Sequence, residues 1–224
     1  MKITIQNIQK DFGKKQVLKD ISFSAEEGTC IAILGENGSG KSTLFSVLLG
    51  LQKGKGKFLC DGVDFIHDSK LRSQMVGFVP QNPPLIHELS GLDNLKLWYS
   101  KEQLKYEMEQ GVLKMLGIPD FCTTIVSKMS GGMRKRLAIG CAVAHHPKIL
   151  FLDEPSSALD MVCKEKIIDY LHMFRKNGGI VVIATHDMSE VEICDDLYIL
   201  KDGSLQLYDK ERKIHELVGC LKNE

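Results

Sequence analysis

Residues Gly35-Glu36-Asn37-Gly38-Ser39-Gly40-Lys41-Ser42 form a complete G-x-x-x-x-G-K-[ST] phosphate loop. Before it runs Cys30-Ile31-Ala32-Ile33-Leu34, short and aliphatic as a buried parallel strand should be. After it, Thr43-Leu44-Phe45-Ser46-Val47-Leu48-Leu49 reads as a helix ending near Gly50. Strand, glycine-rich loop and helix in that order aim a helix N-terminus at a bound anion. Gly35, Gly38 and Gly40 let the backbone turn so that successive N–H groups of the loop face phosphate. Lys41 is placed to reach the terminal phosphates and the Ser42 hydroxyl to ligate Mg²⁺. The stretch predicts a nucleoside triphosphate site.

With 224 residues the chain can bury one large core carrying an inserted subdomain. Its 29 lysines and arginines balance 29 aspartates and glutamates, so no bulk charge favours nucleic acid or anionic lipid, and no nucleic-acid partner is expected. No apolar run reaches the roughly 18 to 20 residues that cross a bilayer. Met1-Lys2-Ile3-Thr4-Ile5 alternates like a strand rather than a signal peptide, which predicts a cytoplasmic chain. Seven scattered cysteines without C-x-x-C spacing fit reduced, apolar fillers, and neither a disulfide framework nor a structural zinc site is expected.

Short alternating segments at Lys2 to Ile8 and Val17 to Phe23, separated by Phe12-Gly13-Lys14-Lys15, read as antiparallel strands. Lys53-Gly54-Lys55-Gly56-Lys57 reads as a solvated loop before a strand at Lys57 to Cys60 and a turn at Asp61-Gly62. From Pro83 to Pro147 the pattern turns helical, with Leu92, Leu95 and Trp98, then Leu104, Met108, Val112, Met115 and Leu116 at three- and four-residue spacing. Strand-like runs return at Lys148 to Leu152 and Ile180 to Ala184 around a helix from Met161 to Lys176, a βαβ rhythm that implies a parallel sheet. Leu197 to Leu200 and Ser204 to Leu207 flank Asp202-Gly203 as a hairpin.

Two further motifs narrow the chemistry. The strand Ile149-Leu150-Phe151-Leu152 ends in Asp153-Glu154, a Walker B pattern in which Asp153 holds Mg²⁺ through water and Glu154 orients and polarises the attacking water. Alone, two acids at a strand end are unremarkable; after the phosphate loop they are a second half of its site. Ser130-Gly131-Gly132-Met133 opens another helix, whose N-terminus could meet an anion or be an ordinary N-cap.

These motifs and their order resemble the ATP-binding cassette (ABC) proteins over essentially the whole chain. Gly35 to Ser42, with Thr43 after it, match Walker A. Gln81 in Val79-Pro80-Gln81 matches the Q-loop glutamine and Ser130 to Gly132 the signature. Ile149 to Asp153 match Walker B, Glu154 the catalytic glutamate, Ser157-Ala158-Leu159-Asp160 the D-loop and His186 the switch histidine. Phe12 sits where the family stacks an aromatic on adenine. Met129 and Met133 depart from the common Leu-Ser-Gly-Gly-Gln, and Met133 followed by Arg-Lys-Arg-Leu is similar to exporter cassettes that work with separate membrane subunits.

The resemblance implies an α/β fold: a P-loop NTPase core with a mainly parallel sheet, an N-terminal antiparallel β subdomain and an inserted helical subdomain. It divides one ABC ATPase domain into a core of residues 1–82 and 148–224 and a helical subdomain of residues 83–147. It also implies ATP hydrolysis with Mg²⁺ held by Ser42, Gln81 and Asp153, and catalysis by Glu154, His186, Lys41 and Gln81. Two cassettes, as a homodimer or a heterodimer, would close head to tail over two nucleotides, so that Ser130, Gly131 and Gly132 of one face the phosphates held by the other. The expected function is to energise transport, in the export direction, through a separate permease on the inner face of the cell membrane. The alternative is a soluble ABC ATPase acting on ribosomes or nucleic acid; such forms carry two cassettes or a long coiled-coil insertion, and this chain has neither. A GTPase is disfavoured by the lack of any Asn-Lys-x-Asp motif.

Overall fold

The computed structural model describes residues 1–156 and 159–208. Its first strands, β1 (Lys2–Phe12), β2 (Lys15–Glu26) and the phosphate-loop strand β3 (Cys30–Leu34), lead into helix α1 (Lys41–Leu48). Next come β4 (Lys55–Cys60), β5 (Val63–Asp64), α2 (Ser69–Met75) and β6 (Val76–Val79). A helical stretch follows with α3 (Gly91–Leu95), α4 (Lys101–Glu109), α5 (Val112–Met115) and α6 (Gly131–Ala142). The chain then returns to the sheet through β7 (Ile149–Asp153), α7 (Met161–Lys176), β8 (Ile180–Thr185), α8 (Met188–Glu192), β9 (Asp196–Lys201) and β10 (Ser204–Tyr208).

The ten strands lie in the order β5-β4-β1-β2-β10-β9-β3-β8-β7-β6. Strands β9, β3, β8, β7 and β6 pair parallel to one another. The β1–β2, β1–β4 and β4–β5 pairs are antiparallel, and β10 joins the two regions by pairing antiparallel with β9 and parallel with β2. The fold is thus α/β, a mainly parallel sheet with an antiparallel β portion.

Period-two alternation divides the interior. Cys30, Ala32, Leu34, Leu150, Leu152, Val181 and Ile183 face one core, shared with Leu95, Leu113, Leu137 and Ile139 of the helical stretch. Ile31, Ile33, Ile149, Phe151, Ile180 and Val182 face the other, shared with Leu44 and Phe45 of α1 and with Ile3, Ile5 and Phe58. Every residue of β3, β7 and β8 is buried, as strands covered on both faces must be.

Strand β3, helix α7 and the Asp202-Gly203 turn lie where the sequence puts them; both turn residues have positive φ (51° and 75°), the form that matches strand twist. Three segments differ. The lysine-rich loop ends sooner than expected, because β4 begins at Lys55 and runs through Gly56 at φ 113°. Helix α1 starts at Lys41, so the last two phosphate-loop residues are already helical. The helical stretch consists of short helices, and its Trp98 is 62% exposed rather than part of the apolar seam.

Phe151 joins the layers: its ring lies 5.1 Å from that of Phe45 on α1 and 6.0 Å from that of Phe58 on β4, both near edge-on. Truncation of this fully buried ring leaves a cavity between Phe45 and Phe58, so Phe151→Ala is expected to cost about 3 to 5 kcal/mol, read as a lower urea midpoint.

Candidate functional site

The phosphate loop wraps the N-terminus of α1. Gly40 at its N-cap has φ 110°, a conformation that L side chains rarely adopt, and a Cβ there would also press on Leu18 and Val17. Lys41 follows as the first helical residue, its ammonium buried. Nζ donates to the carbonyls of Gly35 (2.7 Å) and Glu36 (3.2 Å), folding the side chain back over the loop. Burial pulls the Lys41 pKa down, opposed by the nearby carboxylates Glu154 and Asp153.

A cavity of about 360 Å³ opens in front of this loop, lined by Asn37, Gly38, Gly40, Lys41, Ser42, Thr43, Gln81 and Glu154. Glu36 and Ser39 line a neighbouring hollow of about 210 Å³ with Lys201 and Asp202. Glu154 is the focus of the larger cavity. It follows β7 with φ 49°, a strained backbone for a residue with a Cβ, fixed by the bond from its N–H to the Ala184 carbonyl at 2.8 Å. The carboxyl is buried and held at both oxygens: Gln81 Nε2 donates to Oε2 at 2.8 Å, and His186 Nδ1 lies 3.0 Å from Oε1. Three motifs far apart in the chain therefore meet on one carboxylate.

Asp153, one residue earlier, is buried at the strand end; burial pushes its pKa up, opposed by the Ser42 hydroxyl near it. Serine hydroxyl, aspartate carboxylate and the nearby Gln81 amide oxygen make a hard-oxygen donor set that fits Mg²⁺.

The signature residues lie elsewhere. Ser130 caps α6, its hydroxyl accepting from the Met133 N–H at 3.2 Å, while Ser130 and Gly131 are exposed; neither they nor Gly132 line the Lys41 cavity. Gly132 packs so closely on α7 that a Cβ would lie 2.5 Å from Cys163 Sγ. Phe12 ends β1 half-exposed, with Lys10 Nζ 4.7 Å from its ring centre. Of the expected D-loop, Ser157 and Ala158 lie outside the described residues, and Asp160 caps α7 by accepting from the Cys163 N–H at 2.9 Å.

Two buried groups escape motif reading. Glu190 on α8 accepts from the Ser156 N–H at 2.6 Å, tying the helix that follows His186 to the backbone after Glu154; burial drives its pKa up. Lys135, in the second turn of α6, reaches the Gln81 loop. Within Arg134-Lys135-Arg136 it reads as a solvated cation, yet Gly132, Lys135, Arg136 and Ile139 share the helical spacing that marks α6's buried face.

The ABC transporter family profile matches residues 18–157. The chain belongs to the ABC transporter family, as an ATP-binding cassette of its ATPase class. It is 30% identical over 220 residues to the lantibiotic transport ATP-binding protein SrtF of Streptococcus pyogenes, covering 96% of this chain and 95% of that one. It is 33% identical over 218 residues to the sulfate/thiosulfate import ATP-binding protein CysA of Neisseria meningitidis, covering 92% of this chain but only 60% of that protein's length. Among solved structures, the ATP-binding cassette MJ0796 in a dimeric post-hydrolysis state bound to ADP and Pi superposes with TM-score 0.82 at 30% identity, over 95% of this chain and all of that one.

Next to His186, Asp187 accepts from Lys164 Nζ at 2.5 Å and from the Ser189 N–H at 2.9 Å. Burial alone would raise its pKa, but these bonds outweigh it and hold the carboxyl at about 2. A depressed folded-state pKa stabilises the fold above the unfolded value and loses that contribution as pH falls toward 2. Asp187→Asn is therefore expected to be less stable than the parent at neutral pH, with the gap in denaturation midpoint closing between about pH 4 and pH 2.

Proposed function

We propose that the chain is the ATP-hydrolysing subunit of a membrane transporter, working in the export direction through a separate permease and with a second cassette. The observation that carries the hydrolytic reading is Glu154, buried at the cavity wall with Lys41 and Ser42 and held by both Gln81 and His186. A carboxylate so fixed accepts a proton from water only where its two tethers leave it oriented at the γ-phosphate. Lys41 and the N–H groups of the loop from Gly35 to Thr43 neutralise phosphate charge, and His186 stands opposite Gln81 to contact the terminal phosphate. Ser42, Asp153 and Gln81 would hold Mg²⁺, which when bound would neutralise phosphate charge. Phe12 would stack on the adenine.

A second cassette is needed because Ser130, Gly131 and Gly132 lie off the cavity wall. An exposed N-cap serine followed by an exposed glycine is a free helix N-terminus suited to a γ-phosphate held by another copy.

The permease is supported by an apolar groove of about 660 Å³ that starts beside Gln81 at Pro80 and Asn82 and runs along Leu85, Ile86, Leu97 and Trp98. No helix among the described residues is long and apolar enough to cross a membrane, so a membrane-spanning partner would have to bind such a surface. A short helix of the permease, set in this groove, would sense Gln81 directly. The export direction rests on the resemblance of Met133-Arg134-Lys135-Arg136 to exporter cassettes.

Glu154→Gln purified from native membranes with ATP is expected to keep nucleotide affinity, lose turnover by about 100-fold or more, and carry a multi-span membrane protein with it. Unchanged hydrolysis removes Glu154 from the mechanism; ribosomal or other soluble partners in place of a membrane protein favour the soluble ABC ATPase.

A further inference from the structure

Lys135 is 6% exposed, and among the described residues its ammonium bonds backbone carbonyls rather than a carboxylate. Nζ donates to the carbonyls of Pro80 (3.2 Å) and Gln81 (3.1 Å) and approaches that of Asp153 at 3.4 Å. The position is costly. A cation in the second turn of a helix opposes the helix dipole, and burial pulls the Lys135 pKa down against the fields of Asp153, Glu190 and Glu154. An apolar residue would fill the same space at less cost, so the ammonium's contribution lies in what its three carbonyls connect.

They connect the two walls of the ATP site to the signature helix. Gln81 follows β6 and Glu154 follows β7, and their side chains already meet through the Gln81–Glu154 bond. Lys135 closes the ring from behind, gripping the main chain of both, and it stands on α6 only five residues beyond the Ser130 cap. Arg136 anchors the same turn to the rest of the helical stretch, donating to the Leu116 carbonyl at 2.8 Å and covering the Phe121 ring. A displacement of the Gln81 backbone therefore moves α6, and α6 moves with the helices behind it.

We propose that Lys135 is a positioning residue that couples the state of Gln81 and Glu154 to the orientation of the signature helix. The proposal rests on the reading of the cavity as an ATP site. When bound nucleotide shifts the Gln81 backbone, the lysine holds the loop's carbonyls and swings the Ser130 end of α6 with them. Without it, ATP still enters the Lys41 cavity, but α6 no longer follows.

The chain carries its own reporter. Trp98, the single tryptophan, lines the groove together with Pro80 and with Ala138 of α6, so its emission senses the Gln81 loop against the signature helix. Binding is measured by equilibrium dialysis with Mg²⁺ and a non-hydrolysable ATP analogue, the Trp98 shift by titration with the same compound, and turnover with ATP. For Lys135→Met the expected result is affinity within about threefold of the parent, a lost Trp98 shift and kcat lower by about tenfold or more, with KM little changed. Lys135→Arg, which keeps a donor cation, should recover part of both the shift and kcat. Should the methionine variant fail to fold, Lys135→Gln carries the same test. A parental Trp98 shift and kcat in the neutral variant overturn the proposal, as does a parent chain that binds nucleotide with no Trp98 response. A parent chain that binds no nucleotide instead overturns the ATP-site reading beneath it.

Discussion

The buried ammonium of Lys41 sets the terms for the rest of the site. It has left water to lie over the phosphate loop, and two carbonyls with two neighbouring carboxylates compensate its charge only in part. A triphosphate at the N-terminus of α1 would supply the missing negative charge where low dielectric makes each interaction strong. The sheet exists to hold that arrangement still: β3 delivers the loop, β7 delivers Asp153 and Glu154, and β8 delivers His186, all from adjacent parallel strands. Their fully buried residues fix the strand ends to which the loops attach.

A second constraint concerns geometry between subunits. The groups around Glu154 come from one face of one chain, whereas the Ser130 helix N-terminus stands apart from the cavity. A helix end that is exposed, capped only by its own serine and followed by Gly131 is free to meet an anion from outside. Gly132, pressed against Cys163, keeps α6 seated on α7 while its tip projects. In the proposed two-cassette arrangement, chemistry assembled from two surfaces would be switched by bringing them together, which would make closure and hydrolysis a single two-state event.

Much of the fold was legible because it is driven by local pattern. Cys30 to Leu34 and Ile180 to Ala184 are continuous apolar runs, and α7 spans Met161–Lys176, the helix of the βαβ rhythm between strands. The segment Ser69–Val79 was not legible. Helix α2 buries no residue and so has no apolar stripe, and β6 is four residues long with Gly77 inside it, at the sheet edge. The motifs brought Gln81, Glu154 and His186 forward as candidates, and the structure joins them on one carboxylate. Lys135 and Glu190 were invisible because tertiary contacts define their roles: each bonds main-chain groups distant in sequence, which no spacing rule encodes.

The measurement that tests the account most directly is the ATPase rate per chain over a wide range of protein concentration. If the Lys41 cavity needs the Ser130 end of a second copy, the specific rate rises with concentration and levels off as pairs form. A specific rate that stays constant down to concentrations at which sedimentation finds only single chains would mean that one chain holds a complete site, and would contradict the account.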